Sequence, residues 1–223
     1  MQYLKKLLFS LNEIFIMVII QYIILTIFIL TLGMDKTLII GTIVLMILEI
    51  LYILYKLKGN KFTFYNVTYF PYIILGISIA VIFNMLMFKA GIKFEVSDNI
   101  PVILSFVGSN FIGPIFEEVM FRYSLINKLE VFNSKKATII LAGIIFGVYH
   151  TNIVTIIYAS IIGIINSYLY VKYRNILIPI IIHVSANTIV SFLFDYNIWI
   201  LILGIILFVL SIFMLGNKKK VII

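Results

Sequence analysis

The chain contains no cysteine, which excludes disulfides, thiolate metal centres and a cysteine nucleophile at once. Charge is scarce as well: Asp, Glu, Lys and Arg make up 12% of the 223 residues, about half the share usual in soluble domains. Histidine occurs twice and proline four times, so imidazole chemistry can fall only on His150 or His183. No basic stripe interleaved with aromatics lies outside the hydrophobic runs, and nucleic acid is not an expected partner. Internal repeats and low-complexity linkers are missing too, so the chain reads as one structural domain.

What fills the sequence instead is apolar: 63% of residues are hydrophobic, the composition of a polytopic membrane protein. Eight hydrophobic segments, at about 14–32, 37–55, 71–88, 101–126, 137–151, 153–171, 176–194 and 198–215, are each long enough or nearly so to cross ~30 Å of hydrocarbon. The expected fold is all-α, a transmembrane bundle of about eight helices. Residues 1–100 would supply three helices without a recognisable motif, 101–195 helices four to seven, and 196–223 the last helix with a basic tail. The first twelve residues read as an interfacial lead-in. The run from Ile14 to Leu32 lacks a small-x-small cleavage site and fits a retained span better than a signal peptide. The fifth segment is short and is expected to end or break near His150 and Asn152.

Loop charges orient these spans. With the N-terminus inside, the inner loops hold Lys5, Lys6, Lys56, Lys58, Lys61, Lys128, Lys135, Lys136, Lys172, Arg174 and Lys218, Lys219 and Lys220. The outer loops hold Lys36, Lys89 and Lys93, beside Asp35, Glu95, Asp98 and Asp195. With Arg122 these account for all 17 basic residues. The bias recurs at every turn and predicts a multi-pass protein of the cell membrane with both termini cytoplasmic.

One stretch breaks the apolar pattern, Glu117-Glu118-Val119-Met120-Phe121-Arg122. Each charge at mid-bilayer costs roughly 2.5–3.5 kcal/mol even on a lenient scale. Helical spacing sorts the three: Glu118 and Arg122 are i,i+4 neighbours on one face, while Glu117 lies about 100° around from Glu118. One acid is thus expected to be neutralised in cis and the other left free, a candidate general base. Gly113-Pro114, just upstream, is expected to loosen the helix beside it.

Both histidines fall in hydrophobic segments. His150 ends Phe146-Gly147-Val148-Tyr149-His150, and His183 shares a helical face with Asn187. At about 1.5 Å per residue, Glu117 lies roughly 16 Å from the inner loop charge Lys128, His183 roughly 14 Å from Arg174 and His150 roughly 21 Å from Lys136. Polar groups from the fourth, fifth and seventh segments therefore reach similar depths. Burial shifts a carboxylate toward proton acceptance, and an imidazole and an amide on one face suit a tetrahedral oxyanion.

EExxxR, FxxxH and HxxxN, in that order and each in its own segment, resemble the CPBP intramembrane proteases, also called the ABI or type II CAAX prenyl-protease family, which includes bacteriocin-processing and self-immunity proteins. The resemblance covers about residues 100–195. It implies that Glu117 activates a water with help from His150, that His183 and Asn187 stabilise the oxyanion, and that Glu118 and Arg122 support them. Ser185 lacks an obvious base and is not expected to be a nucleophile. The implied substrate is a small secreted or membrane-associated peptide, or a lipidated protein cut in CAAX fashion.

No cofactor is required by this reading, although Glu117, His150 and His183 would form a His2Glu set of the kind that holds catalytic zinc. The metal-free mechanism is preferred, since neither HExxH nor another carboxylate ligand is apparent. Glu49 is expected to snorkel toward the inner face. Asn84, Asn166 and Gln21 read as interhelical hydrogen-bonding glue, and Tyr149 as a packing residue that can touch substrate. The rival reading is a non-catalytic immunity or transporter-like protein that uses the polar centre as a proton or peptide site; the lack of inverted repeats counts against it.

Overall fold

Apolar segments of this length leave the backbone one economical way to satisfy its own hydrogen bonds, the helix. The computed structural model of the chain describes residues 2–59, 68–92 and 100–216. The inner-loop Lys61, Lys218, Lys219 and Lys220 and the outer-loop Lys93, Glu95 and Asp98 lie outside the described residues. Among those described there are eight helices and no strand. They are α1 (Gln2–Leu32), α2 (Met34–Leu57), α3 (Phe70–Lys89), α4 (Val102–Leu129), α5 (Lys135–Val148), α6 (Ile153–Tyr173), α7 (Leu177–Val190) and α8 (Ile198–Gly216).

The expected all-α, multi-pass architecture is met. Six helices are long and apolar enough to cross a membrane by length and composition. The other two, α5 and α7, have 14 residues each, about 21 Å of rise against ~30 Å of hydrocarbon. Helix α5 stops where the sequence indicated: it ends at Val148, and Asn152 opens α6 by accepting the Val154 amide at 2.8 Å, an N-cap bond. Helix α7 stops at Val190, short of the expected 194. The opening dozen residues are no separate lead-in, because Gln2–Leu32 is one continuous 31-residue helix. No glycine or proline interrupts that stretch, so nothing ends the helix before Gly33, whose φ of 77° makes the turn into α2.

Helix α4 widens where it was expected to loosen. Two π-helical stretches, Gly108–Ile112 and Val119–Leu125, flank Gly113–Glu118. Pro114 has no amide to give the carbonyl four residues back, and the Gly113 amide bonds five residues back to Gly108. The ladder slips by one residue, so Gly113-Pro114 produces a bulge instead of a break. Such bulges concentrate at functional sites.

The chain forms two compact units. The first contains α1, α2, α4, α5, α6 and α7 as far as Pro179. Its closest helix pair is α5 with α6, where small residues let backbones approach. A Cβ on Gly143 would meet the Ile164 nitrogen at 2.6 Å, and one on Gly163 the Gly143 carbonyl oxygen at 2.9 Å.

The second unit contains α3, α7 from Ile180, and α8. Val81, Met85 and Leu201 form its apolar centre, surrounded by Ile77, Ile82, Ile189 and Leu193 among others. Gly204 brings α8 against Val81, and Gly76 brings α3 against the Ile182 main chain. Outward faces carry isoleucine, leucine and phenylalanine, for example Phe15, Ile19, Ile23 and Ile27 on α1 and Ile202, Ile206 and Phe213 on α8. In a membrane protein these are lipid-facing positions.

Candidate active site

The Glu118–Arg122 pair expected from spacing forms. Arg122 Nε lies 3.0 Å from Glu118 Oε2, and both side chains are 0% exposed. Two charges so deeply buried survive only if other groups compensate them. Asn166, on α6 and equally buried, donates from Nδ2 to Glu118 Oε1 at 3.2 Å and toward the Pro179 carbonyl at 3.5 Å. The guanidinium carbon stands 4.3 Å from the centre of the Phe146 ring on α5, a cation–π arrangement that stabilises a desolvated cation. Among the described residues, Arg122 Nη1 and Nη2 and Asn166 Oδ1 have no hydrogen-bond partner.

Glu117, half-buried on the neighbouring face of α4, is not left alone as the spacing suggested. Its charge acts on Arg122, on Glu49 of α2 and on Tyr149. Helix α2 packs beside it, with the Tyr52 ring edge-on to Phe116 at 5.2 Å. Gln21 of α1 donates to Glu49 Oε1 at 3.3 Å. Gln21 and Asn166 therefore bond between helices as expected, whereas the bond Asn84 donates runs within its own helix, to the Ala80 carbonyl at 2.9 Å.

His150 sits just beyond α5, with Nδ1 3.1 Å from the Phe146 carbonyl oxygen. That carbonyl is available because the His150 amide turns instead to Gly147, as happens at helix C-termini. A carbonyl only accepts, so Nδ1 carries the hydrogen of this bond, and Nε2 is the ring nitrogen left for other groups. The ring is held edge-on to Phe146 at 5.2 Å and to Tyr149 at 6.0 Å, while Phe121 meets Phe146 at 5.1 Å. Glu118, Arg122, Phe146 and His150 thus form a chain of contacts within the first unit.

His183 and Asn187 lie four residues apart on one face of α7, in the second unit; His183 is buried and Asn187 half-buried. Ser185 donates to the main-chain carbonyls of Ile73 and Ile182 at 3.3 and 3.0 Å, which is scaffold work. Among the described residues, no three His, Asp or Glu side chains group closely enough to hold a metal ion.

One polar centre had no forewarning in the spacing of motifs. Glu13 of α1 pairs with Lys56 at 2.7 Å and Lys128 at 3.0 Å, and it also accepts hydrogen bonds from Tyr52 and Ser124. The cluster ties α1, α2 and α4 together. Only its position, one acid opposite two lysine-bearing helix ends, could have hinted at it.

Comparison with known proteins bears on the segment from α4 to α7. Residues 99–189 match the family described as type II CAAX prenyl endopeptidase Rce1-like. This agrees with the resemblance to CPBP proteases carried by the three motifs, all of which lie inside the match. The chain is also 28% identical over 89 residues to "Putative membrane peptidase YdiL" of Bacillus subtilis (strain 168). That alignment takes in 40% of this chain and 36% of the relative. No solved structure matches the chain.

Proposed function

We propose that the protein is an intramembrane endopeptidase of the cell membrane, with both termini cytoplasmic, that hydrolyses a peptide bond in membrane-associated or small secreted peptides. The observation that carries the reading is the Rce1-like segment with all its polar motif positions filled. The loop-charge bias supports the orientation.

Glu117 takes a proton from a water molecule as the water oxygen attacks the scissile carbonyl carbon. His150 orients that water through the Nε2 lone pair left by its Nδ1–H bond to Phe146. Negative charge develops on the carbonyl oxygen, and His183 and Asn187, on one face of α7, supply the donors that stabilise it. When the C–N bond breaks, the proton held by Glu117 passes to the leaving amine. Glu118 and Arg122 keep the segment in shape. Each assignment to His183 and Asn187 rests on the HxxxN spacing and the family resemblance.

The test is cleavage of a panel of lipidated and unlipidated peptides by purified protein in phospholipid vesicles. Glu117→Gln is expected to abolish turnover while leaving yield and thermal unfolding near those of the wild type. Retention of a tenth of wild-type turnover would remove Glu117 as the base. A wild-type protein that cleaves nothing in the panel, yet transports or sequesters the peptides, would favour the transporter-like or immunity reading.

A further inference from the structure

We propose that Asn166 is a positioning residue for His150, acting through Glu118, Arg122 and Phe146. No motif contains Asn166: it lies on α6, thirteen residues after Ile153 opens that helix, and the sequence gives it only the bland character of polar glue. The structure gives it a single environment. Its side chain is 0% exposed, and its Nδ2 reaches the Glu118 carboxylate and the Pro179 carbonyl.

The consequence follows the contacts outward. Glu118 has two oxygens to place in a dry interior; Asn166 holds Oε1, and Arg122 faces Oε2. With the carboxylate fixed at both ends, the guanidinium plane is fixed with it, 4.3 Å over Phe146. That cation seats the Phe146 ring, and Phe146 gives His150 both its carbonyl, at 3.1 Å, and its ring edge. The tautomer and direction of His150 are therefore set from α6. An amide suits this task where a second acid or base would not. It donates to the carboxylate without adding a charge.

Alternatives to a positioning role can be separated because the chain has only two histidines. Protein carrying [15N]histidine and no histidine tag is purified in detergent, and imidazole signals are recorded at one fixed pH, assigned with a His183→Gln variant. In the wild type, His150 is expected as a single tautomer protonated at Nδ1. Asn166→Ala is expected to shift or split that signal, and so is Asn166→Asp, which keeps the volume but replaces the donor by a second carboxylate. Glu118→Gln combined with Asn166→Asp exchanges amide and carboxylate and is expected to restore the signal toward the wild type. Gly204→Ala, which strains α8 against Val81 in the second unit, is the control for general destabilisation and is expected to leave it unmoved. An unchanged His150 signal in Asn166→Ala or Asn166→Asp would overturn the proposal, as would an equal change in Gly204→Ala.

The kinetic arm rests on the proteolytic reading above. In the cleavage assay Asn166→Ala should lower kcat by about 10–100-fold with KM little changed, the scale seen when partners that orient a reacting group are removed. If the wild type cleaves nothing, that reading fails and the histidine spectra alone decide the role of Asn166.

Discussion

Glu118 and Arg122 show how a membrane protein keeps a charge pair that its solvent disfavours. Their 3.0 Å contact in a site of 0% exposure means that neither can be removed alone without stranding the other. Glu118→Ala and Arg122→Ala should each cost about 3–5 kcal/mol of stability, whereas replacing both by apolar residues of similar volume should cost much less. Thermal unfolding in detergent of both single variants and the double variant checks this; additive losses would show that the two are not coupled. At the same scale, Asn187→Asp is nearly isosteric but exchanges a donor for a carboxylate that repels a developing oxyanion. It should bind peptide almost normally and cleave it at least ~100-fold more slowly, the loss typical of one oxyanion donor. Full turnover in that variant would reassign Asn187 to scaffold and His183 with it.

At the scale of helices, two local devices shape the first unit. Helix α4 carries Glu117 and Glu118 on the α-helical turns between its two π-helical stretches, and Arg122 within the second of them. The glycines of α5 and α6 then bring the Phe146-bearing helix within backbone contact of the Asn166-bearing one. Gly143→Ala places a methyl group 2.6 Å from the Ile164 nitrogen and 2.9 Å from its Cα, so the helices must separate. Overpacking of this kind typically costs about 1–3 kcal/mol. A lower unfolding temperature is expected, together with loss of the single His150 tautomer, since Phe146 moves with α5. An unfolding temperature equal to the wild type would show that the helix pair yields without cost.

For the molecule as a whole, orientation and metal content are the open tests. The absence of cysteine provides a clean background for labelling from one side. Single cysteines at Lys58 and Lys172 should react with a membrane-impermeant maleimide only from the cytoplasmic side of oriented vesicles, and one at Lys89 only from the opposite side. Labelling of Lys58 and Lys89 positions from the same side would undo the topology drawn from the loop charges. For the metal-free mechanism, exhaustive chelation should leave turnover intact, and elemental analysis should find well under one zinc per chain. Stoichiometric zinc that leaves with activity and restores it on return would replace the glutamate–histidine water by a metal-bound one.

By itself the sequence determined the features that depend on composition and short-range geometry. Membrane-length apolar runs permit only helices, and the described residues hold six helices long and apolar enough to span, close to where hydropathy set them. The i,i+4 spacing of Glu118 and Arg122 sufficed to pair them, since one helical turn places their side chains together whatever surrounds them. The end of α5 near His150 and the weakness at Gly113-Pro114 were legible for the same reason: a capping asparagine and a missing amide act on their own helix. Tertiary structure decided what depends on which faces meet. Glu13 found Lys56 and Lys128 over sequence separations that no pattern joins, and Glu49 met Gln21. The first dozen residues joined α1 because nothing there stops a helix. Asn166 became the partner of Glu118 only because α6 meets α4 across 48 residues of sequence. Hydropathy cannot rank one buried amide above another, since each looks alike until the groups facing it are known.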